Sequence, residues 1–215
     1  MAKKIMFNDK YSLTQAVLEG RKTMTRRVCK YDRPNETYDI VFPVFEPNDY
    51  DNDGNIVSPL NYAFGWKNDK GDFTGWNIPK YKVGEVVAIA QSYLDLSLAE
   101  VSQWKSNGNK TTINSLAGWT NKLFTKAELM PHHIRITNIK VERLQGISDG
   151  DCLKEGIEEH LKNVQYGFSS NIGYCGQYPF PNPREAFAAL IDKIYGKGTW
   201  ESNSYVFAYE FELID

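Results

Sequence analysis

The fold class is indicated by residues 12–29, which read SLTQAVLEGRKTMTRRVC. The first half has the S-x-x-Q form of a capping box at Ser12, and apolar residues at helical spacing follow it until Gly20. Residues 21–29 instead show β-branched side chains and a period of two, which predicts a strand directly after the helix. The sequence therefore predicts a helix and a strand that are joined by a short basic turn.

Outward from this stretch, further helices and strands are predicted without a regular alternation. Strands are predicted at residues 83–90, 134–141 and 205–213, and the last has the alternation of a strand with one fully buried face. Helices are predicted from Ser148 to about residue 161 and after Asn182, where a proline takes the first helical position. This order favours an α+β fold, a small mixed β-barrel with flanking helices, over a doubly wound sheet.

Two regions lack any periodic pattern. Residues 34–80 are rich in Asn, Asp, Gly, Pro and aromatic side chains, and residues 94–128 contain at most one helix. We interpret both regions as irregular insertions. A chain of 215 residues can form one substantial core and is below the size at which two domains become the default, so we expect a single domain over residues 1–215.

The composition excludes several classes of protein. With 41% hydrophobic and 24% charged residues, the chain is neither globally disordered nor a coiled coil. It contains no apolar stretch long enough to span a membrane and no signal-peptide pattern, so we expect a cytoplasmic protein without membrane contact. The three cysteines are widely spaced and form no CxxC motif, which argues against a disulfide framework or a zinc site. We expect neither a metal nor a cofactor.

Basic side chains are concentrated near the N-terminus. Residues 1–33 contain nine Lys or Arg and three Asp or Glu, whereas the whole chain has a net charge of −2. The remaining residues are therefore acidic overall. Such an asymmetry predicts one anion-attracting site on a surface that otherwise repels nucleic acid, and the expected partner is small or single-stranded.

Three segments carry a combination of motifs that is more specific than composition. Residues 16–27 contain the run G-R-K-T-x-T-x-R, residues 141–148 are followed by Glu155-Gly156, and residues 194–211 form the third segment. Together they resemble the ASCH-domain family, in particular its longer prophage-type members. The resemblance implies a PUA-like fold with a cleft that binds RNA or a nucleotide. One departure is Ala90-Gln91, where longer members usually carry Arg-Glu.

The same resemblance implies a set of site residues. Small bacterial relatives are amidohydrolases that remove acyl groups from the exocyclic nitrogen of cytidine, and their Lys, Thr and Glu match Lys22 as base, Thr25 as nucleophile and Glu155 as acid or base. A lysine in a partly buried cleft near other cations has a lowered pKa and can deprotonate a threonine hydroxyl. The expected ligand-binding residues are Gly20, Arg21, Thr23, Arg26, Arg27 and Trp200.

The sequence leaves three functions open. The first is a binding module that holds RNA or a nucleotide in a basic cleft. The second is a metal-independent amidohydrolase that acts on N4-acylated cytidine-like substrates, and the third is a phage-related protein-interaction or assembly module. The sequence also leaves a purely structural role open for each of these residues. In that alternative the basic run forms a solvated face, Glu155 is a solvent-facing carboxylate, and Trp200 packs at the barrel end. Whether the protein is an enzyme and how it oligomerises are not predicted.

Overall fold

The chain adopts a mixed α+β fold in a computed structural model, which describes residues 3–44, 50, 52–55, 60–96, 117–160, 165–170 and 174–214. The helices in these ranges are α1 (Leu13–Leu18), α2 (Asp149–Lys154), α3 (Pro183–Tyr195) and α4 (Thr199–Ser202). The strands are β1 (Lys4–Ile5), β2 (Met24–Val28), β3 (Tyr38–Val41), β4 (Gly65–Asn68), β5 (Val86–Ile89), β6 (His133–Arg143), β7 (Glu158–His160), β8 (Gln165–Ser170), β9 (Tyr174–Phe180) and β10 (Tyr205–Leu213). None of these helices is long and apolar enough to cross a membrane.

The largest sheet has five strands in the order β1, β5, β6, β10, β2. β1 pairs with β5 in parallel, and the other pairings are antiparallel. Over the described residues this sheet is open, with β1 at one edge and β2 at the other. The remaining strands form a β3–β4 pair and a three-stranded sheet in the order β7, β8, β9.

β10 lies between β6 and β2 and is more deeply buried than its sequence pattern predicts. Val206 and Ala208 are as buried as Phe207 and Tyr209, so both faces of the strand are covered over this length. The prediction of a single fully buried face was therefore wrong here. The small side chains at alternate positions leave space for close packing on the second face.

α3 is the helix whose start and buried face the sequence predicts best. The side chain of Asn182 caps it by accepting from the Glu185 N–H at 2.9 Å, and Pro183 is its first residue. Phe187, Leu190 and Ile191 are buried in the main hydrophobic core. The predicted helix start at Asn182 is thus confirmed.

Three local predictions were wrong. Ser12 has φ 53° and makes no side-chain cap, whereas Asn8 caps the preceding turn of 3-10 helix at Asp9–Tyr11. The helix that begins after Ser148 ends at Lys154, because Gly156 takes φ +98°, and Glu158–His160 is a strand. The strand predicted at 21–29 is shorter and spans Met24–Val28.

The region at 34–80 is only partly irregular. It contributes β3 and β4, and Phe64 and Trp66 are buried in the main core. Two strands of four residues are too short to show a clear period of two. In the second region, 94–128, the described residues form short 3-10 turns at Lys122–Phe124 and Ala127–Leu129. Residues 97–116, on which a helix in this region would fall, lie outside the described residues.

Candidate functional site

The basic turn between α1 and β2 is held by backbone hydrogen bonds to two helices. Gly20 has φ +71°, and the Lys22 N–H donates to the Ala16 carbonyl of α1 at 2.9 Å. The Thr23 N–H donates to the Lys154 carbonyl at the end of α2, also at 2.9 Å. The turn is therefore fixed against the residue that follows α2, which is Glu155.

Lys22 and Glu155 form a buried ion pair. The Lys22 Nζ donates to Glu155 Oε2 at 2.7 Å and to the Glu155 backbone carbonyl at 2.6 Å, and the residues are 2% and 4% exposed. Burial lowers the pKa of Lys22, and the opposing attraction of Glu155 does not restore it to the usual value. The amine is thus more readily deprotonated than that of a surface lysine.

Arg26 is the second cation bound to Glu155. Its Nη1 lies 3.1 Å from Glu155 Oε1, and its Nη2 lies 2.5 Å from Glu142 Oε1 and 3.4 Å from Asp151 Oδ2. Burial acts to lower the pKa of Arg26, but Glu155 and Glu142 together raise it above the usual value. Since three carboxylates surround the buried guanidinium, Arg26 positions Glu155 and is not free to bind an anion.

A small pocket joins the residues that the sequence predicts as catalytic. Lys22, Thr25 and Glu155 all line it, although Glu155 is far from the other two in the chain. α3 covers it with Leu190, Ile191, Ile194 and Tyr195, and the Tyr195 hydroxyl donates to the Arg26 carbonyl at 3.2 Å. Its volume of about 50 Å³ holds one or two waters. The pocket in this closed form is too small for a nucleoside.

Of the predicted ligand-binding residues, Arg26 and Arg27 line this pocket, and Gly20, Arg21, Thr23 and Trp200 do not. Gly20 is exposed at the turn, and Arg21 forms ion pairs with Glu19 at 2.6 Å and Glu158 at 3.1 Å. The Thr23 backbone binds both α2 and β10, whose Phe211 N–H donates to its carbonyl. The sequence-predicted basic turn is therefore largely neutralised by carboxylates from distant parts of the chain.

Trp200 packs against Phe187 and also lines a third pocket, of about 440 Å³, that is separate from the small one. Its ring meets that of Phe187 edge to face with centroids 6.1 Å apart, and the Arg184 guanidinium lies 5.7 Å from its centroid. Trp200 does not line the small pocket, because Phe187 lies between them.

A second and much larger pocket opens on the other side of Arg27. Its volume is about 570 Å³. Four cationic side chains line it, from Lys4, Arg27, Lys30 and Lys80, and the described residues of its lining include no Asp or Glu. Five aromatic side chains complete most of the wall, from Tyr31, Trp76, Tyr81, Phe207 and Tyr209. We call this the large pocket.

The cations of the large pocket form no ion pair with a carboxylate of the described residues. The Lys30 amine lies 4.8 Å from the centroid of the Tyr31 ring, and the Lys80 amine lies 5.3 Å from that of Tyr81. Within the described ranges, neither amine is paired with a carboxylate. Burial, and next the charge of Lys80, lower the pKa of Lys4. The pocket therefore offers a site of positive potential beside aromatic faces.

The large pocket was not predicted from the sequence. The dipeptide Lys-Tyr contributes to its lining at 30–31 and at 80–81, but a third copy at 10–11 lines neither pocket, so the dipeptide alone is not a specific signal. Cys29 also lines this pocket, but burial raises the pKa of its thiol to about 12, so the thiolate is scarce at neutral pH. Ala90 and Gln91 are buried and line neither pocket, and Gln91 Oε1 has no hydrogen-bond partner among the described residues.

The candidate site is thus composed of two pockets, the small pocket around Lys22, Thr25 and Glu155 and the large pocket. Over the residues that the structure describes, no group of three or more His, Cys, Asp or Glu is arranged to hold a metal ion. Comparisons of the chain with protein-family models, with curated proteins and with solved structures gave no match.

Proposed function

We propose that the protein binds a nucleotide or a short single-stranded RNA in the large pocket. The observation that carries this proposal is the lining of the large pocket. It has four cations and five aromatic rings, and its described residues include no Asp or Glu. Phosphate groups bind to Lys and Arg, and unpaired bases stack on aromatic faces. A pocket of about 570 Å³ is also within the usual range for small-molecule and cofactor sites.

This proposal includes the PUA-like fold that the ASCH resemblance implies. Its support is spatial: the three segments that carry the resemblance contain β2, the end of β6 and most of β10, and these strands are neighbours in the sheet. Glu155, which follows β6 in the second segment, contacts Lys22 of the first. Segments that are far apart in the chain thus meet around one site.

A titration with cytidine 5′-monophosphate and with a short oligouridylate tests the binding proposal. We expect Lys30→Ala and Lys80→Ala each to weaken binding, because both remove a cation that has no carboxylate partner among the described residues. If the removed cation binds an RNA phosphate, the log–log slope of affinity against salt concentration should decrease by roughly 0.7. Trp76→Ala should cost about 1–3 kcal/mol if a base stacks on the indole.

The matched control is Arg21→Ala. Arg21 belongs to the predicted basic turn but is already paired with Glu19 and Glu158, so its removal should leave nucleotide affinity unchanged. If Arg21→Ala weakens binding and Lys80→Ala does not, the ligand uses the turn, and the large pocket is not the site. If neither ligand binds to the wild-type protein, the proposal is wrong.

A second candidate function is favoured by the small pocket. The buried Lys22, with its lowered pKa, shares that pocket with Thr25 and Glu155. This set supports a metal-independent amidohydrolase that acts on an N4-acylated cytidine. The protein-interaction alternative stays a prediction from the sequence.

The residues of the small pocket supply each step of such a hydrolysis. Lys22 first passes a proton to Glu155, and the Thr25 hydroxyl then attacks the acyl carbonyl while the neutral Lys22 amine accepts its proton. The tetrahedral intermediate releases the exocyclic amine, which takes that proton. A water next hydrolyses the acyl ester of Thr25, which frees the carboxylic acid and restores the hydroxyl. Glu155 holds the Lys22 amine in place throughout. The small pocket must open before a substrate enters, because its present volume excludes a nucleoside.

Thr25→Val tests the hydrolase function without changing the size of the side chain. We expect loss of N4-acetylcytidine deacylation, followed by ultraviolet absorbance, since the nucleophilic oxygen is gone. Thr23→Val, two residues earlier, is the matched control and should retain the rate. An active wild-type protein whose Thr25→Val variant keeps full activity would contradict this mechanism.

A further inference from the structure

Arg27 is the polar side chain that lines both pockets of the candidate site. Its Nη2 donates to the Met6 carbonyl at 2.6 Å, and its guanidinium lies 5.9 Å from the centroid of the Phe7 ring. Met6 lines the large pocket and Phe7 lines the small one. Arg27 and the Met6–Phe7 backbone therefore form a wall between the two spaces.

Strand register places Thr25 of the small pocket on the same face of the sheet as Arg27 and the aromatic wall of the large pocket. In the antiparallel pairing of β2 with β10, Thr25 is opposite Tyr209 and Arg27 is opposite Phe207. Residues that are directly opposite share a face, so Thr25 of the small pocket lies beside the aromatic wall of the large one. Thr25 and Arg27 are two residues apart on their strand, which is about 7 Å. Along this face of β2, the Arg27 side chain is therefore the next one after Thr25.

We propose that the two pockets are parts of one composite site and that Arg27 is the residue that divides them until a phosphate-bearing ligand displaces it. The ligand class is then a nucleotide whose phosphate lies at Arg27 and whose base or acyl group reaches Lys22 and Thr25. This inference rests on the proposed nucleotide binding in the large pocket. It adds a specificity-determining residue and explains how a substrate could enter a pocket that is now closed.

The chemistry of the guanidinium makes a phosphate an effective displacing group. Within the described part of the chain, the Arg27 side chain donates one hydrogen bond, to a neutral carbonyl, whereas a phosphate accepts two parallel hydrogen bonds and carries a negative charge. The difference between such interactions corresponds to roughly tenfold in an equilibrium. Lys30 and Lys80 line only the large pocket, so they would attract the phosphate to the side from which Arg27 can be withdrawn.

Acetylation of Lys22 by acetic anhydride, quantified by peptide mass spectrometry, measures whether the wall opens. Inorganic phosphate is the probe, because it is too small to fill the large pocket and block the reagent. In the wild-type protein we expect Lys22 to react about tenfold faster in phosphate than in chloride at equal ionic strength and pH. Lys140, which is exposed, serves as the internal reference for reagent concentration.

Two variants make the test independent of phosphate affinity. Arg27→Ala removes the divider and should accelerate Lys22 acetylation in chloride, while Arg135→Ala removes a half-exposed arginine that lines neither pocket and should not. Circular dichroism establishes that both variants are folded. If Arg27→Ala labels Lys22 no faster than Arg135→Ala does, Arg27 is not a divider. If Arg27→Ala accelerates labelling and phosphate does not, the displacement by phosphate is overturned.

The outcome for Arg27 is separable from that for nucleotide binding. If cytidine 5′-monophosphate binds, but Lys22 labelling stays slow both in phosphate and in the Arg27→Ala variant, Arg27 is not a divider and the binding function stands. If Lys22 labelling responds to phosphate and to Arg27→Ala, but the nucleotide does not bind, the binding function is wrong and the role of Arg27 as a divider stands.

Discussion

Glu155 binds two cations of one segment, Lys22 and Arg26, through its side chain and its backbone carbonyl. Its carboxylate accepts from Lys22 at one oxygen and from Arg26 at the other, and its backbone carbonyl accepts from Lys22 as well. Buried charges require such complete pairing, because desolvation costs several kcal/mol for each ion. Glu155 is therefore as important for the local structure as for any chemistry in the small pocket.

Glu155→Gln should reduce the free energy of unfolding by about 3–5 kcal/mol, because the buried Arg26 would keep its charge and lose one carboxylate partner, and Lys22 would lose its ion pair and release its proton. The matched control is Glu212→Gln. Glu212 pairs with Arg135 at 3.0 Å, but both side chains are about half exposed, so this loss should not exceed about 1 kcal/mol. Urea unfolding at neutral pH measures both. Equal losses in the two variants would contradict the buried-pair account.

At the scale of single residues, the sequence indicated which side chains lie together but not which carboxylates pair with them. The resemblance to family motifs selected Lys22, Thr25 and Glu155, which line one pocket, and their catalytic roles stay predictions. It gave no information on Glu142 and Asp151, which pair with Arg26, because long-range ion pairs leave no periodic signal. The role of Lys30 and Lys80 in the large pocket was missed for the same reason, since folding alone brings them together.

At the scale of elements, the turn after α2 decides where Glu155 points. α2 ends at Lys154, and Gly156 takes φ +98°, so the chain reverses immediately beyond the carboxylate. A Cβ added at Gly156 would lie 3.2 Å from Leu13 Cδ2 and 3.6 Å from Lys22 Cδ. The turn thus depends on glycine for both its backbone conformation and its close contact with α1.

Gly156→Ala should destabilise the protein by at least about 1–2 kcal/mol, because an L-residue is strained at this φ. The control is Gly150→Ala within α2. Gly150 has no positive φ and open space at its Cβ, so alanine there should stabilise the helix by about 0.5–1 kcal/mol. Thermal unfolding of the two variants should therefore shift in opposite directions. A Gly156→Ala variant as stable as the wild type would contradict the proposed role of this turn.

Long periodic elements were predictable and short ones were not. α3 has thirteen residues and β10 has nine, and both were placed from their patterns. β3 and β4 have four residues each, and the helix predicted to run to residue 161 was cut short by one glycine. The barrel expected from the resemblance is a property of strand pairing, which a sequence pattern does not specify.

At the scale of the whole molecule, the described residues gather cations without a carboxylate partner in the large pocket rather than at the basic turn that the sequence indicates. The basic turn at residues 20–27 meets carboxylates from residues 142–158, and its excess charge is largely paired. The large pocket keeps cations that meet aromatic rings and backbone carbonyls instead. The net charge of the chain is −2, so this pocket is a local basic site on a mildly acidic protein.

Burial of weak acids determines how the whole molecule responds to alkaline pH. Burial raises the pKa of Cys29 and Cys152 to about 12 from 9.0, and that of Tyr81 and Tyr209 to about 12 from 10.0. The folded state therefore holds these protons at a pH at which the unfolded chain releases them. Their contribution to stability is fully present below pH 9 and is lost as the pH rises towards 12. Lys22 changes the stability in the opposite direction. Its pKa is lowered in the folded state, so below pH 10.5 the folded protein releases this proton before the unfolded chain does.

The free energy of unfolding should consequently fall between pH 9 and 12, since four acids act in that direction and two lysines with lowered pKa, Lys4 and Lys22, oppose them. Each group can contribute a slope of up to about 1.4 kcal/mol per pH unit. Urea unfolding at intervals from pH 7 to 11.5 measures the curve. Cys152→Ala should flatten it, because one of the protons held only in the folded state is gone. Ile147→Val, an equally buried change without an ionisable group, should lower the curve by about 0.5–1.5 kcal/mol and leave its slope unchanged. Stability that rises with pH in this interval, or a Cys152→Ala curve parallel to that of the wild type, would show that these buried acids do not control the alkaline transition.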